Sequence, residues 1–271
     1  MLIAQVTDPH IKAVGKLAYR QVNTAANLAR CISHLLGLKQ PPDLVLMTGD
    51  LTDFGREEEY RLLRELIQPL PMPVYVIPGN HDERENFRRA FHDHRYLPAT
   101  GKLHYVIDDY PIRMIGLDTT IAGKSGGEVD AACLAWLADR LAVEPERPTL
   151  LFMHHPPINS GIEHMDVQNC ANAAEFGNLL RKHPQVCRIL CGHVHRPIHT
   201  LWNGLSVSIA PSASHYVALD LGEAPPRDFY LEPPSIHLHF WHNHYLVTHL
   251  SFVGQFAGPY PFYDELGRLI D

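Results

Sequence analysis

The sequence predicts an α/β layered protein, and three observations carry that reading. Short apolar runs recur along the chain, and each stops at polar, Gly- or Pro-containing residues, as a buried strand entering a loop does. The segments between several of them carry apolar residues at helical spacing, and strands alternating with helices mean a layered α/β architecture. The polar residues cluster at the C-terminal ends of the runs, the edge at which open α/β sheets bind ligands.

The runs come in this order. "LIAQV" ends at Asp8, "DLVLMTGD" at Gly49 and Asp50, and "PVYVIPGNHD" at Pro78 to Asp82. "TLLFMHHPP" ends at His154 and His155, and "CRILCGHVH" at Gly192 to His195. A helix is expected over 22–38, where Val22, Ala25, Leu28, Ala29, Ile32 and Leu35 repeat near 3.6 residues, and another over 57–67 on Tyr60, Leu63 and Ile67. Two more are expected over 130–142, with Asp130 as N-cap, and over 171–181. Beyond residue 215 the texture changes. "EAPPRDFYLEPPS" is loop-like, "SIHLHFWHNHYLVTHLSF" reads as a hairpin turning near Asn243, and "AGPYPFYDELGRLID" is aromatic and Pro-rich. This last part reads as an appendage to the core.

Composition narrows the function. The chain has 271 residues, enough for one large domain with a small addition, and a net charge of −7 with histidine neutral. An acidic balance argues against sequence-independent binding to nucleic acid, which needs a basic surface to displace counterions. No apolar run approaches the roughly 18 residues of a membrane span. The start "MLIAQVTDPH" shows no basic leader, and the five cysteines are odd in number with no C-x-x-C. A cytoplasmic protein with reduced thiols is therefore expected. The 19 histidines stand out, since imidazole is the commonest metal ligand.

The loop residues make one donor set: Asp8, His10, Asp50, Asn80, His81, Asp82, His154, His155, His193 and His195. These are oxygen and nitrogen donors without a thiolate, which suits Zn, Mn, Fe or Co. They are numerous enough for two ions, the arrangement that clamps the attacking and leaving oxygens of a displacement at phosphorus. Asp50 is placed to bridge both. Two divalent ions, two carboxylates and a bound hydroxide leave about one net positive charge, which favours an anionic ester.

At these residues the sequence resembles the calcineurin-like metallophosphoesterases. Their order of blocks appears here as "TDPH" (7–10), "TGDLTD" (48–53), "PGNHD" (78–82), "MHHPP" (153–157) and "CGHVH" (191–195). Within that family the chain is similar to class III cyclic nucleotide phosphodiesterases and bacterial glycerophosphodiesterases, nearly end to end. The resemblance implies a four-layer α/β/β/α sandwich, with residues 1–215 as the catalytic domain and 216–271 as a cap or oligomerisation extension. It implies a first cation on Asp8, His10, Asp50 and His195, and a second on Asp50, Asn80, His154 and His193. It also puts His81 beside the phosphoryl group, as hydrogen-bond donor or proton donor to the leaving alkoxide, and His215 near the substrate together with Asn80. The reaction implied is hydrolysis of a small-molecule phosphodiester, a cyclic nucleotide or a glycerophosphodiester, by a metal-bound hydroxide. A homo-oligomer, at least a dimer, is expected, with no nucleic-acid polymer and no membrane as partner.

Other readings of the same residues remain. A phosphomonoesterase or nuclease of the same fold uses a similar donor set, and a metal-free scaffold would keep the fold without the chemistry. Asp82 is expected to orient the "GNHD" loop, Asp53 to cap the loop before the helix at 57, and His155 to be structural. The tail histidines His237, His239, His242, His244 and His249 suggest a third metal site, although a polar hairpin face is the commoner explanation. Cys187 and Cys191 are expected to pack in the core.

Overall fold

A computed structural model describes residues 1–224 and 226–271. The chain opens with β1 (Leu2–Val6), α1 (Thr24–Leu36), β2 (Leu44–Thr48), α2 (Glu57–Ile67), β3 (Val74–Ile77) and α3 (Arg84–Ala90). It continues with β4 (Tyr105–Ile107), β5 (Arg113–Leu117), β6 (Gly127–Glu128), α4 (Ala131–Val143), β7 (Thr149–Met153), α5 (Glu163–Asp166), β8 (Cys170–Ala171), α6 (Ala173–Leu180) and β9 (Val186–Cys191). It closes with β10 (Ile198–Trp202), β11 (Leu205–Ile209), β12 (Tyr216–Val217), β13 (Phe229–Tyr230), β14 (Ser235–His242) and β15 (Tyr245–Phe252).

Two sheets face each other. The first runs β15-β14-β1-β2-β3 and the second β10-β11-β9-β7-β5-β4. The central strands β1, β2 and β3 are parallel, as are β5, β7, β9 and β11. Alternation along β1 sorts its side chains: Ala4 and Val6 turn to the helices, while Ile3 turns to the space between the sheets. Leu28, Leu35, Tyr60, Leu63 and Phe87 of α1, α2 and α3 cover the first sheet. Leu137, Leu141, Phe176 and Leu180 of α4 and α6 cover the second. Ile3, Leu44, Leu46, Ile77, Met114, Leu150, Phe152 and Leu190 fill the layer between. The result is an α/β/β/α sandwich in which the parallel central strands of each mixed sheet have both faces covered.

The helix signals behave as their chemistry requires. Asp130 caps α4 by accepting from Cys133 N at 2.7 Å, and Asn23 caps α1 by accepting from Ala26 N at 3.0 Å. At α2 the carboxylate of Glu59 reaches back to Arg56 N at 3.2 Å and Phe54 N at 2.9 Å.

The C-terminal hairpin departs from the sequence expectation. It forms, and it turns through Asn243 and His244, both at positive φ (46° and 66°) as a tight two-residue turn demands. It does not stand apart as an appendage, because β14 pairs antiparallel with β1 from Leu2↔Phe240 to Gln5↔His237 and so completes the first sheet. His237 and His239 consequently lie buried between the sheets rather than on a solvated face. Among the described residues, no group of three ligating side chains includes either one, so a third metal site is absent there.

Burial of imidazole makes stability depend on pH. Burial pushes His104 down to about 4 and His237 down to about 3, the latter helped by His199 and Arg188. The unfolded chain protonates these rings near their ordinary value of about 6.5. The stability from burying them neutral is therefore complete above that value and is lost as pH falls towards the depressed folded values. Each ring contributes a loss of about 1.4 kcal/mol per pH unit below pH 6. Urea unfolding of metal-stripped protein between pH 6 and 5 is expected to show a slope shallower by about that amount in His237→Asn. An unchanged slope would mean that His237 already carries a proton in the folded chain.

Candidate metal centre

The site lies where the parallel strands of both sheets end. β1 stops at Val6, β2 at Thr48, β3 at Ile77, β7 at Met153 and β9 at Cys191. Each loop that follows carries one to three members of the donor set. Asp8 and His10 do not reach the site by strand alternation, because both leave the β region with φ of 52° and 47°. Asp50, His193 and His195 share that left-handed conformation at 47°, 73° and 58°. Residues other than glycine seldom adopt it, and strain of this kind persists where the surroundings over-determine it.

The loops are tied to each other by the main chain. Asp8 N donates to Gly49 O at 3.1 Å and His10 N to Asp50 O at 3.0 Å. Two glycines leave room for the acids and imidazoles. A Cβ on Gly79 would lie 2.2 Å from Asp50 Oδ1, and one on Gly49, at φ 97°, would lie 2.3 Å from His154 Nδ1.

Three of the four imidazoles are oriented by a partner behind them. His10 Nδ1 pairs with Asp53 Oδ1 at 3.2 Å, His154 Nδ1 donates to Thr48 O at 2.9 Å, and His195 Nδ1 donates to His215 O at 3.1 Å. The proton on Nδ1 leaves a lone pair on Nε2, and these lone pairs face inward. His10 Nε2 lies 3.1 Å from His195 Nε2, and His195 Nε2 lies 3.3 Å from Asp8 Oδ1. His154 Nε2 lies 3.3 Å from Asp50 Oδ2 and 3.2 Å from Asn80 Oδ1, which is 3.1 Å from His193 Nδ1. Asp8, His10, Asp50 and His195 together place one ligating atom each within 4.8 Å of the others.

Lone pairs this close repel unless a positive charge sits among them. Donors held 2.0–2.2 Å from one cation are themselves roughly 3.0–3.5 Å apart, which is the spacing seen here. Electrostatics points the same way. Burial raises Asp50, but His154, His81 and His10 hold it well below the ordinary carboxylate range, and Asp8 is lowered likewise against burial by His195 and His154. Against the pull of burial, the two carboxylates raise His154 to about 9. The cavity therefore attracts positive charge, and its donor chemistry fits divalent ions.

The other residues singled out in the sequence lie around these donors. His81 donates its main-chain N–H to Asp50 Oδ1 at 2.9 Å, and its Nδ1 donates to Asp53 O at 2.9 Å, so Nε2 is turned to the cleft. Burial lowers its proton affinity, yet Asp50 and the carbonyl and carboxylate of Asp53 leave it raised above the ordinary value. His215 lines the same cleft, 4.6 Å from the ring of His195, and its carbonyl orients that ring. Asp82 accepts from Leu51 N, Thr52 N and Gly79 N at 2.9–3.1 Å and so organises two of the loops. His155 spends both nitrogens, on Thr119 Oγ1 at 2.8 Å and Ser125 O at 3.1 Å, and has none for a cation.

Asp53 is a correction to the sequence reading. It does not cap α2; its carboxylate lies between His10 and Lys12 Nζ, which is 2.7 Å away, and burial notwithstanding these partners lower it to about 2. The signal was the D-x-x-D spacing of Asp50 and Asp53 within one loop. Tyr19, 5.2 Å from the rings of both His215 and Phe229, lines the cleft without any sequence signal.

The cleft above the donor sets has a volume of about 510 Å³. Its outer wall comes from Met165 and Gln168 at α5 and from Val217, Arg227 and Phe229. No helix among the described residues is long and apolar enough to cross a membrane.

The chain is 50% identical over 273 residues to the probable glycerophosphodiester phosphodiesterase GpdQ of Arcobacter nitrofigilis, covering 100% of each. It is 33% identical over 210 residues to the 3',5'-cyclic adenosine monophosphate phosphodiesterase CpdA of Escherichia coli K12, covering 78% of this chain and 75% of that one. In fold it is similar to a dimetal phosphatase from Danio rerio, with a TM-score of 0.65 at 13% identity, over 94% of this chain and 99% of that one. Residues 1–197 match the calcineurin-like phosphoesterase family. With inward-facing Asp, His and Asn donors at the edge of a two-sheet sandwich, the chain belongs to the calcineurin-like phosphoesterases.

Proposed function

We propose that this phosphoesterase hydrolyses small phosphodiesters, glycerophosphodiesters first among them, with two divalent cations such as Mn, Fe, Zn or Co. The observation that carries the reading is the pair of inward-facing donor sets that share Asp50 at the floor of one cleft. Asp8, His10, Asp50 and His195 would hold one cation, and Asp50, Asn80, His154 and His193 the other. Bound there, the cations supply positive charge to the phosphoryl oxygens and acidify a water.

The chain's own groups do the rest. His81 presents Nε2 to the cleft with its proton affinity raised, which suits protonation of the departing alkoxide. His215 is kept neutral by burial and by the neighbouring imidazoles, so it acts as a hydrogen-bonding wall rather than a charge. Gln168 and Phe229 offer polar and apolar surface to the alcohol arm of a diester. Among the described residues Arg227 is the one Lys or Arg lining the cleft, which supports a small ester over a polyanion. The relative named for glycerophosphodiesters aligns with this chain from end to end, and the one named for cyclic AMP aligns with 78% of it, which favours the former class.

The thiols support a reading of the compartment, and the exposed apolar residues a reading of the assembly. The five cysteines are unpaired, as expected of a reducing cytoplasm. Phe252, Phe256, Tyr260, Phe262, Leu266 and Leu269 lie exposed along β15 and the tail. So many exposed apolar side chains in one stretch of the chain support a homo-oligomer, with the second copy covering the tail.

Three experiments test this. Manganese-loaded protein is expected to prefer bis(p-nitrophenyl) phosphate to the monoester and to turn over glycerophosphoethanolamine faster than cyclic AMP. Preference for the monoester would overturn the diesterase reading, and preference for cyclic AMP would overturn the substrate class. His81→Ala is expected to lower kcat about 100-fold on glycerophosphoethanolamine and far less on the aryl diester, whose leaving group needs no proton. Light scattering behind a sizing column is expected to give a multiple of the 30.6 kDa chain mass, and a 30.6 kDa particle would contradict the assembly.

A further inference from the structure

The C-terminal hairpin carries a buried imidazole that the reaction does not use. His239 pairs through Nδ1 with Thr248 Oγ1 at 2.8 Å and through Nε2 with Gln5 Oε1 at 3.1 Å. An amide oxygen only accepts, so Nε2 bears the proton and Nδ1 takes the threonine hydroxyl. The amide nitrogen of Gln5 then points the other way, donating to Thr48 Oγ1 and to Cys191 O, each at 2.9 Å. A carbonyl also only accepts, so both ends of the amide are fixed independently.

Gln5 is fully buried, on the face of β1 where Ile3 packs in apolar surroundings. A buried amide is costly unless every polar atom is satisfied, and an apolar side chain would fill the space without that demand. Its bonds join two particular places. Thr48 is the last residue of β2 in the first sheet, and Cys191 is the last residue of β9 in the second. Two residues beyond them stand Asp50 and His193.

We propose that Gln5, locked by His239, is a positioning residue that sets the gap between the ends of β2 and β9 and thereby the geometry of the second donor set. The inference rests on the two-cation reading above. It gives the hairpin a task beyond completing the sheet: it carries the donor that aims the Gln5 amide.

Metal-stripped protein titrated with Mn²⁺ and followed by electron paramagnetic resonance tests it. The parent chain is expected to bind two ions and to give the spectrum of a coupled pair. Gln5→Met and His239→Leu are expected to bind the first ion as before, to bind the second about 10-fold more weakly, and to alter the coupled spectrum. His239→Gln, whose amide nitrogen can donate to Gln5, is expected to recover most of the second affinity. Wild-type affinities with an unaltered coupled spectrum in both disrupted variants would overturn the proposal, whatever happens to the melting temperature. Equal weakening of both ions would overturn it too, since the effect would then not be local to the second set. If His239→Leu fails to fold, Gln5→Met, which keeps the side-chain length, decides the matter. Failure of the parent chain to take up a second ion would instead overturn the two-cation reading, and this inference with it.

Discussion

The structure depends on lone pairs that face one another. Two buried carboxylates, an amide oxygen and four imidazole nitrogens converge with spacings near 3.2 Å, and the proton on three of the rings is held on the far side. In a low-dielectric interior such an assembly is expensive unless positive charge compensates it. Its persistence is explained by the frame beneath it. The loops leave strands that are themselves locked by parallel pairing and by three apolar layers.

That frame spends conformational freedom to place charge. Five of the seven proposed ligands sit at positive φ, in loops bonded main chain to main chain. Asp82 and Asp53 act on the same loops from behind, one by accepting amide protons and the other by fixing His10. A side chain aimed by two or three such contacts loses little entropy when it meets a cation, which is how a prearranged site gains affinity. The same rigidity holds His81 between Asp50 and the carbonyl of Asp53, where the protonated ring is favoured.

Much of this was legible in the residues. Buried parallel strands read as uninterrupted apolar runs, so β1, β2, β3, β7 and β9 and their loop residues stood out. Strand β5 did not, because its run "RMIGL" begins with Arg113, buried against Asp108 and Arg140 O, and contains Gly116, packed against Phe152. Strand β10 mixes His and Thr with apolar residues at the sheet edge and carries no clean period. The place of the hairpin was hidden for a different reason. Its pairing with β1 spans more than 230 residues of sequence, and nothing local in "SIHLHFWH" distinguishes an interior histidine from a solvated one. Asp53 was visible but misassigned, since a carboxylate before a helix is more often a cap than the support of a distant imidazole.

The proposed chemistry requires two cations that share Asp50. The most direct measurement is the metal content, by mass spectrometry, of protein loaded with Mn²⁺ and desalted, compared with Asp50→Asn. Two ions per chain in the parent and one or none in the still-folded variant is the result expected. A parent chain that retains no metal, or a variant that keeps both ions, would contradict it.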